Sequence, residues 1–130
     1  LQGHPMPLLY QPKPGSIVIC DFRGYVAPEM VKSRPVVVLA KSPTHPQLLT
    51  VVPISTTQPV PALACHIQLT TSPIPGKPAA CWAKCDMVAT VALSRLDRVK
   101  VGHRQYDVPT LNPAELTAIK AAVAAALGVP

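Results

Sequence analysis

Prolines divide this chain into short apolar segments, and their spacing limits what the chain can fold into. The 130 residues contain 17 prolines, many of them between runs of valine, isoleucine and leucine. Proline has no backbone N–H for a β-ladder, so it is found at strand ends and edges and in turns. The spacing therefore predicts a series of short β-strands, and the length predicts one domain with one core.

The strand predictions follow from the apolar runs. Val36 to Ala40 is an unbroken apolar run of the kind that is buried on both faces of a sheet. Residues 95–101 alternate instead, which predicts a half-buried strand with its charges outward, reached by a turn through Leu93. Residues 73–78 are expected to form a tight connection. The full set of predicted strands is 17–22, 36–40, 48–54, 64–69, 80–85 and 95–101.

The end of the chain predicts one helix, over about residues 112–127. Asn112 suits the N-cap, Pro113 the first helical position and Glu115 the third, as in a capping box. Gly128 is expected to end the helix. An apolar stripe should face the sheet, formed by Leu116, Ile119, Val123 and Leu127.

The remaining domain predictions concern the N-terminus, the cysteines and the compartment. Residues 1–13 are proline-rich without a period and are expected to form an extended or disordered arm before a single domain at 14–130. No signal peptide is recognised and no apolar run reaches the ~18 residues of a membrane span. Three of the four cysteines lie in apolar, strand-like runs, where a reduced thiol packs as a small hydrophobic group. A cytoplasmic protein is expected.

Cys81 and Cys85 stand near Cys65 and His66 in the sequence, which raises the alternative of a metal site. The spacing of Cys81 and Cys85 on a strand is too long for the usual short zinc knuckle. His66 is read as a strand-surface residue. No metal or cofactor is expected.

The charge balance favours an anionic partner. Twelve Lys and Arg against six Asp and Glu give a net charge of +6 at pH 7. Such an excess suits nucleic acid or an acidic protein, although many basic proteins bind neither.

Arg34 is the first candidate for such a contact. It stands between Lys32-Ser33 and Pro35, directly before the buried run. A guanidinium is always charged and presents a planar fork of donors that matches phosphate oxygens. A rigid neighbour such as proline would hold it in place. The alternative is a solvated arginine at the end of a loop.

A cluster of hydroxyls follows the third predicted strand. Ser55, Thr56 and Thr57 stand side by side. Hydroxyls here could act on a substrate, or could satisfy local backbone groups in a turn.

Four segments together resemble the MazF/PemK family of toxins from bacterial toxin–antitoxin modules, over about residues 14–127. They are Pro14-Gly15-Ser16-Ile17-Val18, Glu29 ahead of Lys32-Ser33-Arg34-Pro35-Val36-Val37-Val38-Leu39, Val51-Val52-Pro53-Ile54-Ser55-Thr56, and Lys84-Cys85-Asp86-Met87. The resemblance implies a mostly β protein with a C-terminal α-helix, folded as a small half-open SH3-like β-barrel. It also implies a homodimer that cleaves single-stranded RNA without a metal and is held in check by an antitoxin protein.

The resemblance also implies site residues. The catalytic candidates are Arg34, Ser55, Asp86 and Glu29, and the RNA-binding candidates are Lys32, Thr56, Lys84 and Arg23. The chain departs from the family pattern at Ser55, where threonine is usual, at Lys84, where an arginine is used, and at Met87, where glutamine is common. Either Glu29 or Asp86 could be the general base.

Two other functions remain open. One is a toxin of the same fold that poisons DNA gyrase, which would not need Arg34 beside Ser55. The other is a catalytically silent nucleic-acid-binding barrel, for which the net charge of +6 would suffice.

Overall fold

The computed structural model describes residues 8, 10–70 and 80–129. It has nine strands, two short 3-10 helices and one α-helix over these residues. The strands are β1 Ile17–Cys20, β2 Arg34–Lys41, β3 Leu48–Ser55, β4 His66–Gln68, β5 Trp82–Lys84, β6 Ala89–Ala92, β7 Leu96–Asp97, β8 Val99–Gly102 and β9 Gln105–Asp107. The 3-10 helices are Cys85–Met87 and Leu93–Arg95, and the helix α1 is Pro113–Ala126.

Seven strands form one antiparallel sheet that does not close. The order is β4-β5-β3-β2-β1-β7, and β6 also pairs with β3, while β8 and β9 form a separate hairpin. The predicted fold class, mostly β with one C-terminal helix and an open barrel, is confirmed. In the part of the chain that the structure describes, no helix is long and apolar enough to cross a membrane.

The sheet has apolar residues on both faces, as the unbroken run in β2 predicts. Val36 and Val38 pack into one cluster with Phe22. Val37 and Leu39 pack into the other cluster, which includes residues of α1. Successive side chains of a strand point to opposite faces, so a run without polar residues serves two cores at once.

The predicted helix is confirmed, and its cap has the expected chemistry. The Glu115 backbone N–H donates to Asn112 Oδ1 at 2.8 Å, and Asn112 Nδ2 donates to Glu115 Oε1 at 3.0 Å. Glu115 Oε2 accepts from the backbone N–H and the hydroxyl of Thr70, at 2.8 and 3.1 Å. The cap therefore also ties the helix to the segment that follows β4.

The predicted apolar stripe is wrong at one residue, which is exposed instead of buried. Leu127 is 65% exposed, whereas Ile119 is fully buried. The helix ends at Ala126, and Leu127 is its C-cap before Gly128 turns the chain at φ 77°. Ala122 is buried with Ile119 and Val123 instead, so the buried face is shorter and includes a small residue.

Two strand predictions are also wrong. Residues 95–101 are not one strand, because β7 pairs with β1 while β8 pairs with β9. The expected turn through Leu93 contains β6, which pairs with the first half of β3. The predicted connection at 73–78 lies wholly outside the described residues, as does most of the predicted arm at 1–13, because residues 1–7, 9, 71–79 and 130 are not among those that the structure describes.

Candidate active site

Strand register brings Arg34 and Ser55 together. Val36 of β2 lies opposite Pro53 of β3 in an antiparallel pair. Arg34 and Ser55 each lie two residues beyond this last pair of the ladder, at the ends of the same strands, so the register continued past Val36 and Pro53 places them opposite each other. On the other side of β3, Ser55 lies opposite Trp82 of β5.

These strand ends open into a cavity of about 210 Å³, which we call the Arg34 cavity. Five of the predicted site residues line it: Glu29, Lys32, Arg34, Ser55 and Lys84. Met30 and Met87 supply part of its apolar wall. Three cationic side chains face one carboxylate here, so the cavity suits an anionic group such as a phosphodiester.

The Ser55 hydroxyl accepts one firm hydrogen bond within a local turn, whereas the hydrogen bond that it donates there is long. Its Oγ accepts the Thr57 backbone N–H at 3.0 Å. The Ser55 hydroxyl points to the Thr57 carbonyl oxygen at 3.5 Å, which is at the limit for a hydrogen bond. Its proton can therefore rotate to a substrate oxygen, which makes Ser55 a suitable donor.

Glu29 stabilises the loop that carries it. Glu29 Oε1 accepts the Val26 backbone N–H at 2.7 Å, and the Glu29 N–H donates to the Val26 carbonyl at 2.9 Å. This reciprocal pair closes a four-residue turn and fixes the direction of the carboxylate. Glu29 remains exposed at the cavity wall.

The start of that loop is anchored by Arg95, a residue of the predicted alternating strand whose charges were expected to lie outward. Arg95 Nη1 donates to the carbonyl oxygens of Asp21 and Arg23, both at 2.8 Å. Its guanidinium lies 5.2 Å from the centre of the Tyr25 ring, and Tyr25 packs edge-on against Phe22 at 5.2 Å. An alternating pattern cannot predict these contacts, because both acceptors are backbone carbonyls of a segment more than 70 residues earlier in the chain.

A second cavity, of about 360 Å³, adjoins the first, and we call it the Asp86 cavity. Glu29, Met30 and Met87 line both cavities, while Asp86 and Tyr25 line only the second. Asp86 is exposed on the 3-10 helix Cys85–Met87. The two candidate bases thus share one cavity, and only Glu29 also shares the other with Arg34.

Cys65 and His66 lie beside Asp86, an arrangement that was not predicted from the sequence. One potential ligand atom from each of Cys65, His66 and Asp86 lies within 4.8 Å of the other two. Burial raises the pKa of the neighbouring Cys85 thiol to about 11, with smaller contributions from the charges of Cys65 and Asp86. The sequence signal was that Cys65 and His66 stand near Cys81 and Cys85 along the chain. The pairing of β4 with β5, which the sequence does not show, brings Cys65 and His66 close to Asp86 in space.

Two predicted RNA-binding residues line neither cavity. Thr56 is exposed beyond the end of β3. Arg23 forms an exposed ion pair with Asp21, with 2.9 Å between Nη2 and Oδ2. The Arg23 backbone N–H and, after it, the Arg23 charge hold the pKa of Asp21 below its usual value of 3.8.

The fold and the cavity define a class: a small open barrel with cationic side chains at its mouth. Residues 13–127 match the family model described as a PemK-like, MazF-like toxin of type II toxin–antitoxin systems. That match spans most of the chain, so this protein belongs to the PemK/MazF-like toxin family. It matches no protein of curated function.

Solved structures share the fold at low sequence identity. A MazF crystal structure from Deinococcus radiodurans has a TM-score of 0.67 and 17% identity, over 92% of this chain and 99% of that chain. An endoribonuclease from a mycobacterial species has a TM-score of 0.65 and 18% identity, over 95% and 98% of the two chains. An endoribonuclease in complex with its cognate antitoxin, also mycobacterial, has a TM-score of 0.64 and 20% identity, over 92% and 98%.

Proposed function

We propose that this toxin is a metal-independent endoribonuclease that cleaves single-stranded RNA. The observation that carries the proposal is the Arg34 cavity, where Arg34, Lys84 and Ser55 meet a carboxylate at the mouth of the sheet. The family membership and the mycobacterial endoribonucleases of the same fold support it. The cytoplasm, where messenger RNA is found, is the proposed compartment.

The chemistry requires three groups, and the two cavities supply them. A base takes the proton from a 2′-hydroxyl, the 2′-oxygen bonds to the adjacent phosphorus, and the bond from phosphorus to the 5′-oxygen breaks as that oxygen takes a proton from solvent water. Arg34 and Lys84 stabilise the charge on the phosphorane oxygens, and Ser55 donates a hydrogen bond to a phosphate or leaving-group oxygen. The products are a 2′,3′-cyclic phosphate and a 5′-hydroxyl.

The decisive experiment is cleavage of a labelled RNA in the presence of a chelator. We expect Arg34→Ala to lower the rate by about 10²–10³-fold, as for loss of one preorganised donor. Arg34→Lys should also be slow, because an ammonium cannot replace the planar fork. Lys120→Ala, which removes an exposed positive charge from α1, is the control for a mere loss of net charge.

A modified RNA substrate tests whether the 2′-hydroxyl is the nucleophile. An RNA with a single 2′-deoxy substitution at the cleaved position should not be cut. Retention of RNA without cleavage would instead select the non-catalytic binding barrel, and near wild-type cleavage by Arg34→Ala would refute the site.

The proposed general base is either Glu29 or Asp86. Only Glu29 lines both cavities, and substitution of each carboxylate in turn distinguishes the two. Glu29→Gln and Asp86→Asn should be compared in pH–rate profiles, where the variant that lacks the base loses the rise in rate at acidic pH. The Glu29→Gln variant also needs a stability measurement, because its carboxylate supports the loop through Val26. A rise that survives in both variants would exclude both carboxylates.

The proposed partners are an antitoxin, RNA and a second copy of the chain. An acidic antitoxin segment would place carboxylates in the Arg34 cavity and so compete with RNA for Arg34 and Lys84. Antitoxin affinity should fall at high salt and in an Arg34→Ala, Lys84→Ala double variant. Affinity that responds to neither change, with RNA unable to displace the antitoxin, would place the antitoxin elsewhere. Light scattering tests the homodimer.

A further inference from the structure

The cluster of Cys65, His66 and Asp86 combines three donor types that bind zinc in proteins. A thiolate, an imidazole and a carboxylate are all zinc ligands. Their closest ligand atoms lie within 4.8 Å of one another. In a tetrahedral zinc site, bond lengths of about 2.0–2.3 Å place the ligand atoms roughly 3.3–3.8 Å apart, so the longest separation in the cluster needs to shorten by at most about 1–1.5 Å. Asp86 is exposed and can supply that movement by side-chain rotation.

The backbone holds the three residues in register independently of any ion. The Cys85 backbone N–H donates to the Cys65 carbonyl oxygen at 2.9 Å. His66 of β4 lies opposite Lys84 of β5, two residues before Asp86. The helix α1 contacts both β4 and the 3-10 helix that carries Asp86. The donors therefore come from two segments that are joined by the sheet and packed on a common helix.

We propose that Cys65, His66 and Asp86 form a binding site for a thiophilic divalent cation such as Zn²⁺, and that occupancy suppresses RNA cleavage. The Cys65 thiol releases its proton to solvent as the sulfur–metal bond forms. The resulting thiolate and the Asp86 carboxylate balance the two positive charges of the ion, and a solvent molecule completes four-coordination. Mg²⁺ does not compete, because it prefers an oxygen-only environment.

Binding has one cost that the structure makes explicit. The Leu63 backbone N–H donates to His66 Nδ1 at 3.1 Å. An ion at Nδ1 displaces this bond, and an ion at Nε2 requires the ring proton to move to Nδ1, which ends it as well. This part of the chain is exposed, so water can take over the N–H.

The suppressing effect rests on the proposed function, since it assumes that Asp86 is needed in the cavity. Asp86 lines the cavity that it shares with Glu29. An ion bound to Asp86 removes its charge and its basicity from that cavity. Zinc therefore acts as an inhibitor, and the metal-free enzyme is the active one.

The test begins with Co²⁺, which reports its own coordination by visible absorption. The wild-type protein should give the intense bands of tetrahedral cobalt and a thiolate-to-cobalt charge-transfer band, and Zn²⁺ should displace them. Cys65→Ser should lose the charge-transfer band, and His66→Ala and Asp86→Asn should each weaken binding by about tenfold or more, the lower end for loss of a supporting group around a metal. Bands that persist in Cys65→Ser, or no bands in wild type, would overturn the site.

Matched controls come from the same chain. His45 Nδ1 accepts the Gln47 backbone N–H at 3.1 Å, the arrangement that His66 has with Leu63, so His45→Ala should leave cobalt binding unchanged. Asp107 is exposed like Asp86, and Asp107→Asn should also be silent. Loss of binding in either control would mean that the ion is bound elsewhere.

Cleavage assays then test the consequence. Zn²⁺ should slow wild-type cleavage by about tenfold or more, as for loss of a general base, and a chelator should restore it. Cys65→Ser should cleave normally in chelator and resist zinc. If cobalt binds as expected but zinc does not slow cleavage, the inhibitory role is refuted. If the protein cleaves no RNA under any condition, the proposed function fails, while the cobalt titration still decides the site.

Discussion

Removal of the Arg95 guanidinium should loosen the loop that forms one wall of both cavities. Two hydrogen bonds of 2.8 Å join Arg95 to the Asp21 and Arg23 carbonyls, and the Tyr25 ring lies against its guanidinium. A hydrogen bond to a charged group contributes about 1.5–3 kcal/mol, and water at this half-exposed site recovers part of it. With about 0.5–1 kcal/mol for the cation–π contact, we expect Arg95→Ala to cost about 2–3 kcal/mol.

That loss should be visible as a shift in Tm and as a change in cleavage. For a domain of this size, 2–3 kcal/mol corresponds to a fall in Tm of about 8 °C. Below the new Tm the core remains folded, so the fall in cleavage should come from a wall that no longer positions Glu29. Amide hydrogen exchange should accelerate in the loop at 21–33 more than in β2 and β3.

Arg98→Ala is the matched control. Arg98 is also half-buried and lies three residues along the chain, but its guanidinium makes no hydrogen bond within the described ranges 10–70 and 80–129. It should shift Tm by less than about 2 °C. If Arg95→Ala and Arg98→Ala behaved alike, or if exchange in the loop did not change, the anchoring role of Arg95 would be refuted.

Three further outcomes follow from burial and capping. Ile119→Ala should cost about 2–5 kcal/mol in chemical denaturation, whereas Leu127→Ala should cost less than about 0.5, because only Ile119 is buried; equal costs would contradict the observed end of the helix. Asn112→Ala should cost about 1 kcal/mol through loss of the cap, and Asn112→Asp should retain most of it. Burial raises the pKa of Cys20 from 9.0 to about 12, so the unfolded thiol ionises first and stability should fall as pH rises above 9, by up to about 1.4 kcal/mol per pH unit; Cys20→Ala should remove that part of the slope.

The elements of this fold were predictable from sequence where one segment determines its own structure. The cap at Asn112 and the termination at Gly128 need only nearest neighbours, and both are confirmed. The unbroken run of β2 predicted burial on two faces, which is also confirmed. The predicted burial of Leu127 was wrong, because the apolar period of a helix does not show at which residue the helix passes the edge of the sheet that it packs on.

The approach of Arg34 to Ser55 at one cavity depends on a feature that the sequence does not show. Ala40 lies opposite Thr50, but Val38 lies opposite Val51, so a bulge shifts the register of β2 against β3 by one residue. Without that bulge, Thr56 would lie opposite Arg34. The resemblance to a family selected Ser55, but periodicity alone could not choose between two adjacent hydroxyls.

The site also depends on the way β3 changes partners along its length. Leu48 to Val51 pair with β6, whereas Ile54 and Ser55 pair with β5. The chain between β5 and β6 leaves the sheet as the 3-10 helix Cys85–Met87, which places Asp86 at the gap. A continuous strand there would pair with β3 throughout and would turn its side chains alternately into the core and away from it. The interruption therefore creates the Asp86 cavity and explains why a carboxylate, a half-buried thiol and an imidazole meet beside an otherwise apolar sheet.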